Sequence, residues 1–124
     1  MIQPLALVLY EKLLPGSQLV NKLQDLNYRV KTISDPQLLV ASAQETKPLV
    51  VIVDLECAGK KALEAITALH KAATTEHLPI LAFGPEQATA LQEQATEAGA
   101  TLTVSDTALL NHLPQILEQV LRVE

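Results

Sequence analysis

Apolar residues in this chain come in short continuous runs that alternate with stretches of helical period. The first run, Leu5 to Leu9, is too short for a buried helix and stops at Tyr10-Glu11, which predicts an interior strand. After Pro15-Gly16, Ser17 stands as a candidate N-cap. Leu19, Val20, Leu23 and Leu26 then recur at helical spacing before Asn27, a C-terminal stop. Arg29 to Ser34 is mixed and β-branched, as a second strand would be. Asp35-Pro36 follows as a cap with proline at the first helical position, ahead of a helix carrying Leu38, Leu39 and Val40.

Pro48 opens Leu49 to Val53, the most apolar and β-branched stretch of the chain, which ends at Asp54. A strand apolar on both faces belongs at the centre of a parallel sheet. Gly59 to about Ala73 carries Leu63, Ile66 and Leu69 at helical spacing, and Pro79 then starts a strand from Ile80 to Phe83 that Gly84-Pro85 closes. Glu86 to Ala98 has helical propensity with an alanine-rich face, and Gly99 ends it as a C′ residue would. Thr101 to Val104 is the fifth strand. Ser105 and Asp106 offer caps for the last helix, whose stripe is Leu109, Leu110, Leu113, Ile116, Leu117, Val120 and Leu121. Pro114 lies inside that stripe and predicts a kink or a late start.

Five strands alternating with five helices through short links predict an α/β sheet covered on both faces. Right-handed crossovers favour a flavodoxin-like, doubly wound parallel sheet of order 2-1-3-4-5 in three α/β/α layers. Its crevice lies beyond the carboxyl ends of strands 1 and 3, where Tyr10, Glu11 and Asp54 fall. At 124 residues the expectation is one domain over 1–124.

Composition narrows the function classes. With 48% hydrophobic and 19% charged residues, the chain has the apolar content to build a core. A net charge of −5 and only three aromatic residues give nucleic acid little to bind directly. The single Cys57 forms no internal disulfide, no run approaches a membrane span, and no basic segment precedes a long apolar one; the cytoplasm is the expected location. His70, His77 and His112 lack metal-ligand spacing, Cys57 has no partner constellation for nucleophilic chemistry, and the four glycines form no phosphate-cradling cluster. Asp54 is the sharpest feature: with Glu11 it brings two carboxylates to one strand-end crevice, a pair able to hold a hard cation such as Mg²⁺. Polar residues also end strands and cap helices for purely local reasons, and the pattern alone leaves both readings open.

Val51-Ile-Val-Asp54 ending strand 3, Pro79-Ile80-Leu81 opening strand 4 and Glu97-Ala-Gly-Ala100 before strand 5 resemble, in order and spacing, the receiver domains of two-component response regulators. The resemblance covers essentially all 124 residues. It implies that Asp54 is the phosphoacceptor position. It also implies a Mg²⁺ set of Glu11, Asp54 and the backbone carbonyl of Glu56.

The departures from that family bear on function. Two adjacent acids after strand 1 are replaced by Tyr10-Glu11, so one carboxylate at most accompanies Asp54 and metal binding is expected to be weak or lacking. The family's hydroxyl at the end of strand 4 falls on Gly84, and its lysine after strand 5 falls on Asp106, within Ser105-Asp106-Thr107. Unit charges about 4 Å apart interact by about 4 kcal/mol at an effective dielectric of 20, so exchanging that cation for an anion works against a phosphorylated aspartate. Ala58 stands in place of the family's proline, and Lys60 and Lys61 are candidate compensating cations.

These features lead to the expectation of a degenerate receiver, not an enzyme. It would contact a protein partner or a second copy through helix 4, strand 5 and helix 5, independently of phosphorylation, within a two-component pathway. A working phosphoacceptor with Mg²⁺ at Asp54 is the alternative, and a small-molecule-binding flavodoxin-like domain the third class. All five helices are consumed by the fold, leaving none for DNA recognition.

Overall fold

The computed structural model describes residues 4–10, 13–55, 61–73, 75, 77–84 and 89–122. Five parallel strands, β1 (Leu5–Leu9), β2 (Arg29–Ile33), β3 (Val50–Asp54), β4 (Ile80–Gly84) and β5 (Leu102–Ser105), pair in the order β2-β1-β3-β4-β5. The connecting helices are α1 (Leu13–Asp25), α2 (Leu39–Thr46), α3 (Lys61–Lys71), α4 (Thr89–Ala98), α5 (Asp106–Asn111) and α6 (Leu113–Arg122). This is the doubly wound α/β arrangement that the alternation of patterns predicts.

Strand alternation divides the core into two layers. Leu7, Leu9, Val51, Val53, Ile80 and Ala82 face α2, α3 and α4, where Leu39, Ala43, Ile66, Leu69 and Ala95 meet them. Ala6, Val8, Val50, Ile52, Leu81 and Phe83 face α1, α5 and α6, meeting Leu19, Leu23, Leu109, Leu113, Leu117 and Val120. Every residue of β3 and β4 is buried, which explains their unbroken apolar sequence; the edge strands β2 and β5 keep mixed composition because one long side of each meets solvent.

Helix ends follow local chemistry. Asn27, at φ 69°, closes α1 in a Schellman motif: the Tyr28 N–H donates to the Leu23 carbonyl at 3.0 Å and the Asn27 N–H to the Gln24 carbonyl at 3.0 Å. Gly99, at φ 124°, closes α4 by the same pair of bonds, Ala100 N–H to Ala95 (3.0 Å) and Gly99 N–H to Thr96 (3.2 Å). The Asp35 carboxylate accepts from the Gln37 N–H at 2.9 Å, and one 3₁₀ turn, Pro36–Leu38, leads into α2. Ser105 caps α5, its hydroxyl accepting from the Ala108 N–H at 3.1 Å.

Two expectations are corrected, and one helix end has no sign in the sequence. The first helix begins at Leu13, so Ser17 is not its cap. Pro15 falls at its third position, where backbone N–H groups have no intrahelical acceptor, and proline is tolerated there. The last helix is two helices, making six. His112 (φ −128°, ψ 30°) breaks the stripe, its N–H closing α5 on Ala108 and its carbonyl accepting from Ile116 to open α6. Pro114, second in α6, has no N–H to extend the earlier ladder, so the kink expected there is a full break. Lys47, at φ 50°, ends α2 in a left-handed closure, with its N–H donating to the Ala43 carbonyl at 2.9 Å; a lysine gives no sequence sign of this.

Two measurements follow from this packing. A β-carbon at Gly99 would stand 2.7 Å from both Cβ and Cγ of His70, on a backbone that L residues rarely adopt. Gly99→Ala is therefore expected to lose about 2–4 kcal/mol in urea unfolding, with an unchanged m-value. Burial raises the Tyr28 phenol above its ordinary value near 10. Its neutral form is thus favoured in the fold. The associated stability is fully present below the unfolded-state pKa and is lost as pH rises through the folded-state pKa. Tyr28→Phe should flatten this alkaline decline in a pH series of thermal melts.

Candidate functional site

The carboxyl ends of the central strands converge at one pole of the sheet. Asp54 is the last residue of β3 and only 4% exposed, one of the two buried polar side chains among the described residues. It pairs in register with Phe83, and the Leu55 N–H donates to the Phe83 carbonyl at 2.9 Å, so the sheet ladder continues one residue past the acid. The acid is therefore carried on a central strand whose ladder to β4 runs through it.

Tyr10 follows β1 directly. Its N–H donates to the Ile33 carbonyl at 3.0 Å, tying the ends of β1 and β2 together, and its half-buried side chain packs on the layer shared with α1 and α6. Glu11, Glu56, Cys57, Ala58 and Lys60 lie outside the described residues; Lys61 opens α3 with an exposed side chain.

Gly84 ends β4 opposite Ser105, which ends β5. A β-carbon at Gly84 would lie 3.5 Å from Leu55 Cβ and 4.0 Å from Leu91 Cδ2, both ordinary contacts, and its φ is not left-handed. Among the described residues, neither backbone nor space demands glycine there. Asp106 is partly exposed in the first turn of α5, where the Thr107 hydroxyl donates to its Oδ1 at 3.4 Å. An acid suits that place on local grounds, since a carboxylate at a helix start is favoured by about 0.3–1 kcal/mol.

Among the described residues, no three histidine, cysteine or acidic side chains converge as a metal would require. Asp54 is the single described carboxylate at the ends of β1 and β3. His70, His77 and His112 are exposed and belong to separate parts of the chain, at the end of α3, before β4 and at the α5–α6 joint. Among the described residues no helix is long and apolar enough to cross a membrane.

No family model matches the sequence, and no curated protein does. Solved structures do. The chain superposes on a structure assigned as a response regulator from Chloroflexus aurantiacus with a TM-score of 0.90, at 16% identity, covering 98% of this chain and 100% of that one. The receiver domain of a sensor histidine kinase from Pseudomonas aeruginosa, with magnesium coordinated in its own active-site cleft, gives 0.87 at 17% identity over 98% and 100%. The chemotaxis response regulator CheY4 of Vibrio cholerae gives 0.83 at 22% identity over 96% and 99%. The fold is that of response-regulator receiver domains.

The contacts around Gly84 carry a direct consequence. Gly84→Ala should be neutral or stabilising by about 0.5 kcal/mol in urea unfolding, because a β-carbon fits and the unfolded chain loses freedom. A loss of about 2 kcal/mol would show instead that the glycine serves packing.

Proposed function

We propose that this chain is a single receiver-like signalling module of a two-component pathway that has lost phosphoryl switching and acts by phosphorylation-independent contact with another protein or a second copy. The observation that carries this reading is the unequal survival of the strand-end pole. Asp54 is buried at the end of β3, and Gly84 and Asp106, at the end of β4 and the start of α5, are the positions that the resemblance aligns with the receivers' hydroxyl and lysine.

Electrostatics supports the loss. Phosphorylation would add negative charge beside a buried carboxylate, and Asp106 brings an anion to the place of the usual cation. Gly84 offers no hydroxyl to draw toward a phosphoryl group. The metal that neutralises charge in a working receiver is left with Asp54 and whatever Glu11 and the Glu56 carbonyl contribute, so weak Mg²⁺ binding at most is part of this reading.

The surface assigned to partners is formed by α4, β5 and the C-terminal pair α5 and α6, into which the expected fifth helix divides. Helix α4 buries Ala95 alone and turns Thr89, Ala90, Glu93, Gln94, Thr96 and Glu97 to solvent, while β5 is a half-buried edge. The exposed face of α4 is polar and carries two glutamates, so it suits a partner that offers hydrogen-bond donors or cations. The module acts in the cytoplasm, has no enzymatic activity of its own and makes no direct contact with nucleic acid or membrane.

The test is an amide NMR titration with Mg²⁺ and then beryllofluoride on the wild type and Asp54→Asn. The expected result is no Asp54-dependent shift reaching α4 and β5, together with concentration-dependent sedimentation or a specific protein partner. Asp54-dependent shifts spreading to those elements would establish a working phosphoacceptor and overturn the degenerate reading.

A further inference from the structure

A second concavity lies at the opposite pole of the sheet, at the amino ends of β3 and β4. Its volume is about 530 Å³, within the range of small-molecule sites. The four residue steps of β3 from Val50 to Asp54 separate it from the aspartate by about 13 Å, so it is no part of the strand-end site. Buried Ala43 and Pro48 and half-buried Leu78 give it an apolar floor, while the exposed side chains of Gln44, Lys47 and His77 stand at its mouth.

The backbone of Lys47 makes this arrangement definite. It holds a left-handed conformation, φ 50° and ψ 61°, that costs a residue with a β-carbon about 1–2 kcal/mol and that glycine would adopt freely. The Lys47 N–H is tied to the Ala43 carbonyl at 2.9 Å, and Pro48 follows at once. The ammonium thus starts from a pinned backbone beside an apolar hollow. A lysine, an imidazole and a side-chain amide line that hollow, and no acid is among its described lining residues.

We propose that this cavity binds a small organic monocarboxylate. The apolar body of the ligand rests on Ala43, Pro48 and Leu78, and its carboxylate accepts hydrogen bonds from Lys47 Nζ and a ring N–H of His77. One lysine among the described lining residues matches one carboxylate, and the apolar floor offers nothing to a second charge. The site is independent of whether Asp54 takes a phosphoryl group, so its test and that of the signalling reading succeed or fail separately.

The experiment is a titration of the intact chain with hexanoate and with benzoate, followed by amide NMR, with hexan-1-ol as the uncharged control. Saturable shifts are expected at Gln44, Lys47, His77 and Leu78 with at least one of the two acids. That affinity should fall by about tenfold, or 1.4 kcal/mol, for the alcohol and for Lys47→Gly. Lys47→Gly keeps the left-handed closure and removes the cation, so its melting temperature should equal or exceed that of the wild type. Absence of saturable shifts with both acids, equal affinity for the alcohol, or undiminished binding by a folded Lys47→Gly would overturn the proposal.

Discussion

The structure depends on β3 lying dry on both faces. Val51 and Val53 turn toward α2, α3 and α4 while Val50 and Ile52 turn toward α1, α5 and α6, so this strand, flanked by β1 and β4, which do the same, stands at the centre of both core layers. Fully burying an aliphatic side chain is worth about 1.5–3 kcal/mol, and all four residues from Val50 to Ile52 and Val53 are completely buried. A parallel strand in that position needs neighbours on each side for its backbone groups, which β1 and β4 provide in register. Asp54 inherits its placement from this arrangement, because a polar residue can end such a strand but cannot sit within it.

The same constraint gives the molecule two unlike poles. Where the strands end, Tyr10, Asp54, Gly84 and Asp106 are set by the sheet, and the polar groups lie on or beside its ladder. Where β3 and β4 begin, the chain arrives from helix ends, and the surface is shaped by the left-handed turn at Lys47 and the approach of Leu78 to β4. The first pole is governed by register and the second by helix termination. Substitution at one therefore has little mechanical reach to the other, apart from the shared core.

Much of the fold was legible in the chain because its signals are local. The two-faced apolar run of 49–53, the asparagine after α1 and the glycine after α4 each state a backbone requirement that the structure meets, the last two as Schellman closures. Pro15 misled because its effect depends on position within the helix: within the first turn its missing N–H removes no bond. Pro114 was correctly read as an interruption, yet the division into two helices turns on His112, whose sequence neighbours give no such sign. At the strand-end site, Asp54 was visible as an acid closing the most apolar strand. That Gly84 sits in ordinary packing space, and that Asp106 occupies a helix start suited to an acid, required neighbours distant in sequence.

By itself, then, the sequence determined the alternation of strands and helices, the central strand and the acid that ends it, since periodicity and burial are written residue by residue. Tertiary structure alone decided the cavity at the far pole, the tie of Tyr10 to the end of β2 and the space beside Gly84. Each of these is a relation among segments 20 to 35 residues apart, such as Ala43 with Leu78, Tyr10 with Ile33 and Gly84 with Leu55. No local pattern encodes such distances; they exist only once the sheet has closed its order and the helices have docked on its two faces.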